Sequence, residues 1–346
     1  MRRVELNAFL SEEVWDALSL LLDLPPDMLQ AAWWELGRPD RGYRCYQSAP
    51  DLQGRRREIH IPPELVKKTQ RRILERVLYN VPTSSAAYAG VPKRSYAQAA
   101  QLHLAQPGHI LQLDIKNAFP STRYSMVARA LRRTLKPVLW SLDLETKHRR
   151  EVAGWLTHML TAQGSNERFP RLPLGTPTSV AAFNLVWASI DSALQGALCP
   201  QGGSLRYSRY VDDLCFSSDQ PFSRDAIALA GQIVEGFGYQ LNPRKSRLSN
   251  REEAIIHGLC WRSGALAMAD KQVLAIAARI QEARARLHSG PVPSEREGIV
   301  EELAQLQRFV ERIYQGRPRP RGLQIEASLL ERARPASPRW VEELWG

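Results

Sequence analysis

Cysteine is scarce: 346 residues hold four, Cys45, Cys199, Cys215 and Cys260, with no CxxC pair among them. That argues against a disulfide framework and against a thiolate zinc finger, and it suits a reducing, cytoplasmic setting. Long apolar runs are also missing. The longest, LSLLLDL and VAAFNLVWASI, fall short of the ~20 residues a membrane helix needs, so no membrane partner is expected. The first residues, MRRVELNAFLSEEVWD, carry acids where a secretion signal needs an apolar core. No internal repeat and no low-complexity tract interrupts the chain. With 44% hydrophobic and 24% charged residues, the composition is that of a folded globular protein, one large domain or two to three small ones.

What is abundant is positive charge. Lys plus Arg number 47 against 36 Asp plus Glu, a net +11. Residues 41–96 carry 12 basic and 4 acidic side chains, which is +8 of that excess. Residues 266–346 carry 13 and 11, only +2. A concentrated anion-binding region near the N-terminus follows, built from Arg55-Arg56-Arg57, Lys67-Lys68, Arg71-Arg72 and Lys93-Arg94. A solvated helix face would show the same charges.

Periodicity predicts helices over 11–36, broken at Pro25-Pro26, and over the stretch after Pro62-Pro63, where Leu65, Val66, Ile73, Leu74, Val77 and Leu78 recur at helical spacing. Residues 42–62 read as extended, 82–95 as a loop, and 110–115 as a strand ending in Asp114. Further helices are expected at 126–135, 146–162, after the Pro/Gly loop RLPLGTPTS, and at 223–236. Short strands fall at 204–210 and 214–218. GYQLNPRKSRLSN reads as a polar turn region, AIIHGLCW as a tight hairpin, and the chain from 270 onward as mostly helical. The mixed order of strands and helices points to an α+β fold.

The sharpest feature is Tyr210-Val211-Asp212-Asp213 between apolar strand residues. Adjacent carboxylates inside a β pattern are costly unless a cation holds them; a solvated Asp-Asp turn is the simpler explanation of the tetrapeptide alone. Asp114 changes the balance, because it too ends an apolar strand. Three carboxylates at strand ends suit two divalent ions about 4 Å apart, the arrangement used for in-line phosphoryl transfer. Mg²⁺ takes carboxylates, water and substrate phosphates, with Mn²⁺ as a possible substitute, so no His or Cys ligands are required.

Five segments in order, LDIKNAFPS, LPLGTPTSVAAFN, RYVDDLCFS, GYQLNPRKS and IIHGLCW, resemble the successive palm motifs of reverse transcriptases. Upstream, YRCYQSAPDLQGRRREIHIPPELVKKTQRRIL is similar to the fingers of bacterial retron-type enzymes. The resemblance covers roughly residues 43–262. It implies a right-hand polymerase with an antiparallel palm sheet and a helical thumb: an N-terminal helical extension over 1–40, fingers over 41–108 with further elements to about 178, palm over 109–262 and thumb over 263–346. It implies an RNA-directed DNA polymerase acting on dNTPs and an RNA template, such as a structured non-coding RNA, to give a DNA product in anti-phage defence, with an effector protein as a further partner. By the same resemblance Asp114, Asp212 and Asp213 are catalytic carboxylates, and the Ile115 carbonyl is a backbone metal ligand. Lys245 is the acid that protonates the leaving pyrophosphate. Phe119 is a steric gate, and Lys93, Arg94, Gly175 and Tyr210 face the incoming nucleotide. Arg55, Arg57, Lys67, Arg71, Thr178, Ser179 and Asn184 are the expected nucleic-acid contacts.

Three departures stand out. Leu174 replaces the Gln of the usual Pro-Gln-Gly, the Asn of an Asn-Ala-x-x-His segment is missing before His103, and Ile256-His257-Gly258 replaces Val-Thr-Gly. Two further functions therefore stay open: a protein-primed or weakly templated DNA polymerase of the same fold, and a catalytically idle RNA-binding scaffold.

Overall fold

The computed structural model describes residues 10–37, 42–48, 56–106, 108–163, 169–198, 204–315, 317–320 and 322–325. In chain order the elements are α1 (Glu12–Leu22), α2 (Pro26–Gly37), β1 (Arg44–Gln47), β2 (Glu58–Ile61), α3 (Glu64–Arg76), α4 (Tyr96–Leu104), β3 (His109–Asp114), α5 (Ala118–Ser121), α6 (Tyr124–Thr134), α7 (Lys136–Ser141), α8 (Thr146–Leu160) and α9 (Ser179–Ala197). Then follow β4 (Leu205–Tyr210), β5 (Asp213–Ser218), α10 (Arg224–Gly236), β6 (Arg247–Asn250), β7 (Leu259–Arg262), β8 (Ala265–Met268), α11 (Asp270–His288) and α12 (Pro293–Tyr314). Helices and antiparallel strands are mixed along the chain, an α+β arrangement. No described helix is long and apolar enough to cross a membrane.

The chain divides into two units, one of residues 1–99 with 109–248 and one of 100–108 with 249–346. In the first, a sheet of order β4-β5-β3-β6 holds the middle. β5 is flanked antiparallel on both sides, so its side chains from Leu214 to Ser218 are all buried. Tyr207 and Phe216, opposite each other on β4 and β5, stack with centroids 4.4 Å apart. α9 reads as apolar nearly all round, and it buries Phe183, Leu185, Trp187, Ile190 and Leu194 in the same core. Phe183, Trp187 and Tyr239 form an aromatic cluster there with centroids 5.0–6.2 Å apart. The break at Pro25-Pro26 separates α1 from α2 as expected. Trp33 stacks on Trp155 in the core, whereas its neighbour Trp34 is 59% exposed.

In the second unit the segment read as a tight hairpin turns at His257-Gly258, both at positive φ, with Ile256 and Leu259 exchanging both backbone bonds. A second two-residue turn, Ser263-Gly264, again at positive φ, joins β7 to β8. Paired positive φ values are what tight hairpins need to match strand twist. α12 buries Ile299, Leu303, Leu306, Val310 and Ile313, a 4-3 spacing that makes one apolar stripe toward α11. Arg317 caps this unit from within, donating to the carbonyls of Leu266 and Ile313 at 2.7 and 2.8 Å.

Candidate active site

The site is set by register. Asp114 ends β3 and Asp213 begins β5, and the two are direct partners in the antiparallel ladder. Opposed residues share a face with Cβ atoms about 5 Å apart, where like charges repel. Tyr210 is the partner of Asp213 on the other side, and Val211 and Asp212 make the turn between β4 and β5. Val211 sits at φ +58°, a left-handed conformation that is strained for a β-branched residue. The Ile115 N–H donates to the Asp212 carbonyl at 2.9 Å, which ties the end of β3 to the turn. Lys116 donates to Gln240 at 2.8 Å and Asn242 donates to the Asp114 carbonyl at 2.7 Å, so the 240–245 segment is laced along the same strand end.

That segment delivers a cation. Lys245 Nζ donates to Asp114 Oδ1 at 2.6 Å, and Asn242 Nδ2 donates to Oδ2 at 3.1 Å. Asp114 is 4% exposed, so its charge relies on these two donors. Asp212 is less well served. Burial, then Asp213, then Asp114 raise its carboxyl to about 6, against the opposing pull of Lys245. Three carboxylates and one ammonium leave two negative charges at one strand tip, and the carboxylates offer oxygen ligands. That donor set fits hard divalent ions such as Mg²⁺ or Mn²⁺.

The structure thus brings Asp114, Ile115, Asp212, Asp213 and Lys245 together. Phe119, five residues after Asp114 and within α5, is half-buried, with its ring 5.5 Å from Phe183. Tyr210 packs edge-on against Tyr96 at 6.2 Å. Lys93 is exposed at φ +65°. Arg94 has a part the sequence did not show. Its Nη1 donates to the carbonyls of Ser84, Ser85 and Ala87 at 2.9, 3.1 and 2.6 Å and so closes the 84–94 loop.

Other expected contacts need correction. Thr178, Ser179 and Asn184 are at most 2% exposed, and a side chain so buried cannot reach nucleic acid. Ser179 donates to the Pro173 carbonyl and shares a 2.6 Å bond with Thr176. Asn184 donates to the Ala89 carbonyl at 2.8 Å and accepts from Arg209 at 3.0 Å. They fasten the loop before α9 and the 84–94 loop to the core. Gly175, at φ +104°, makes its close approach to its own chain: a Cβ there would lie 2.8 Å from Ile59 and 3.0 Å from the His60 carbonyl. Of the basic residues, Arg55 lies outside the described residues. Arg57 and Arg71 are exposed, and Lys67 is half-buried beside Glu64 at 3.9 Å.

The residues that sequence reasoning missed lie beneath the turn. Arg209, wholly buried, donates through Nε and Nη2 to the two oxygens of Asp191 at 2.9 Å each. Its Nη1 reaches Asn184 Oδ1 at 3.0 Å and the Val211 carbonyl at 3.3 Å. Tyr207 donates to Asp191 at 2.7 Å. The rings of Phe183 and Trp187 lie 5.3 and 5.4 Å from the guanidinium. A signal existed: Asp191 is the single charge in α9, and Arg209 alternates with Tyr207 on the inward face of β4.

With this geometry in view, comparison with known proteins decides the family. The sequence pattern of the reverse transcriptase (RNA-dependent DNA polymerase) family matches residues 48–271. This chain belongs to the reverse transcriptase family. Among its relatives are the retron Mx65 reverse transcriptase of Myxococcus xanthus, 33% identical over 229 residues, 63% of this chain and 51% of the relative. The retron Mx162 reverse transcriptase of the same organism is 30% identical over 270 residues, 72% and 53%. The retron Ec83 reverse transcriptase of Escherichia coli is 27% identical over 198 residues, 57% and 59%. The chain spans about half the length of these relatives. The stretch shared with the family holds β2 through β8, and so all of the carboxylate turn, Lys245 and the buried Arg209–Asp191 pair.

Proposed function

We propose that this reverse transcriptase family member is a retron-like RNA-directed DNA polymerase, adding dNMPs to a primer hydroxyl on an RNA template. The observation that carries the proposal is the convergence of Asp114, Asp212 and Asp213 on one strand tip, with Lys245 bonded to Asp114. In the reaction a bond forms between the primer oxygen and the α-phosphorus, and the bond to the β-phosphate oxygen breaks, releasing pyrophosphate. Asp114 and Asp212, with Asp213 beside them and the Ile115 carbonyl behind, would hold two divalent ions. When bound, those ions supply activation of the primer hydroxyl and neutralisation of the leaving group.

The chain's own groups do the rest. Lys245 is within reach of the site and, as a high-pKa cation, delivers a proton to the departing pyrophosphate. Lys93 and the remaining edge of Arg94 face the triphosphate, and Phe119 lies under the sugar, where a 2′-hydroxyl would crowd its ring. Arg57, Lys67 and Arg71 supply positive charge for the template backbone. In the fingers, palm and thumb plan that the family suggests, α11 and α12 would serve as the helical thumb.

The test is primer extension on an RNA template with dNTPs and Mg²⁺, wild type beside Asp212→Asn. Template-dependent DNA made by the wild type alone supports the proposal. DNA that is independent of template, or stays attached to protein after nuclease treatment of the template, supports protein priming instead. RNA binding equal in both proteins with no DNA from either would leave a scaffold.

A further inference from the structure

A second set of metal-ligating groups lies on the β1–β2 hairpin. Cys45 and His60 are direct partners in its ladder, and Glu58 is two residues from His60 on the same strand. Side chains two apart on a strand share a face, and so do opposed pairs. Cys45, Glu58 and His60 therefore converge, with one ligand atom from each lying within 4.8 Å of the others. Gln47, opposite Glu58, completes the same face.

The imidazole is the informative member. His60 is only 8% exposed, its Nε2 is 3.3 Å from Glu58, and its Nδ1 is buried with no hydrogen-bond partner. Nε2 faces the carboxylate, and a buried Nδ1 without a partner leaves the ring incompletely satisfied, a cost that a ligand joining the cluster can offset. We propose that Cys45, Glu58 and His60 bind a zinc ion, or a divalent ion of the same thiophilic character, with water or Gln47 in the fourth position. Tetrahedral zinc, with bonds of about 2.3 Å to sulfur and 2.0–2.1 Å to nitrogen, sets its ligand atoms about 3.5 Å apart. The Glu58–His60 pair is already at 3.3 Å, and the three ligand atoms lie within 4.8 Å of one another. This site is distinct in chemistry from the all-oxygen carboxylate turn. It also has a structural consequence: the His60 N–H donates to the Leu174 carbonyl at 2.8 Å, so an ion pinning β1 to β2 stiffens the strand on which the Leu174–Gly175 loop rests.

The test is a Co²⁺ titration of the metal-stripped full chain, read by absorbance. The expected result is one equivalent bound with a thiolate-to-cobalt charge-transfer band and the strong visible bands of a four-coordinate site, all bleached by Zn²⁺. Cys45 is exposed, so Cys45→Ser folds, as circular dichroism will verify, and it loses the charge-transfer band. Glu58→Gln weakens binding at least about tenfold. The Asp114→Asn/Asp212→Asn double variant keeps the band, which separates this site from the catalytic one. Absence of a thiolate band in the wild type, or an unchanged band in Cys45→Ser, overturns the proposal.

Discussion

Asp191→Asn should cost far more stability than its distance from the carboxylate turn suggests. The Asp191 and Arg209 side chains are 2% and 0% exposed. Two 2.9 Å bonds between them offset the loss of water around a full guanidinium charge. Without the carboxylate, the guanidinium keeps the Asn184 oxygen, the Val211 carbonyl and two aromatic faces, none of which bears a charge. Breaking a buried pair from one side costs about 3–5 kcal/mol, against a total of about 5–15 kcal/mol for a typical domain. Urea unfolding of wild type and Asp191→Asn at constant pH reads this directly. The double variant Asp191→Leu/Arg209→Met removes both charges and should regain about 2 kcal/mol or more, since apolar pairs of similar volume often replace buried ion pairs at little cost. Primer extension should not recover with it, because the Val211 carbonyl has then lost its donor and the turn bearing Asp212 is no longer held. A loss below about 1 kcal/mol in Asp191→Asn, or full activity in the double variant, refutes the reasoning.

Other outcomes follow from the same geometry. Asp212, raised from 3.8 to about 6, binds its proton more tightly folded than unfolded, so the fold loses stability as pH climbs through that interval. Without metal, Asp212→Asn should therefore be more stable than wild type by up to about 3 kcal/mol above pH 6 and equal to it below about pH 4; urea unfolding in chelator across that range checks it, and a pH-independent difference would contradict it. Gly175→Ala should lose about 2 kcal/mol or more, from the strain of φ +104° and the contacts with Ile59 and His60, visible as a lower urea midpoint. Lys245→Met should lower kcat about 10²-fold or more while KM for dNTP changes little, and equal losses in both would place Lys245 in binding instead.

Much of the site was legible because its parts are local. YVDD, the strand ending in Asp114 and the Lys245 segment each carry their chemistry within a few residues, and hydrophobic alternation sets the register that joins them. The N-terminal helices and α9 through α12 also follow from apolar periodicity and Pro or Gly punctuation. What escaped was decided at long range. β6 reads as a polar turn because RLSN stays largely exposed, and its strand geometry comes from pairing with β3 rather than from apolar alternation. α4 and α7, nine and six residues long, are too short to show a clear period. Thr178, Ser179 and Asn184 look like surface polar residues until the loops they fasten are in place. The Arg209–Asp191 pair spans 18 positions and two elements, so each partner alone looks like a misplaced charge.

The bond from Lys245 to Asp114 joins residues 131 positions apart. During synthesis at about 5–20 residues per second, the carboxylate emerges roughly 10 s before its counter-charge. For that interval Asp114 has neither Lys245 nor Asn242, and the strand facing it, with Asp213, is itself made late. An unfinished chain therefore presents its basic early segment well before Asp114 has its counter-charge.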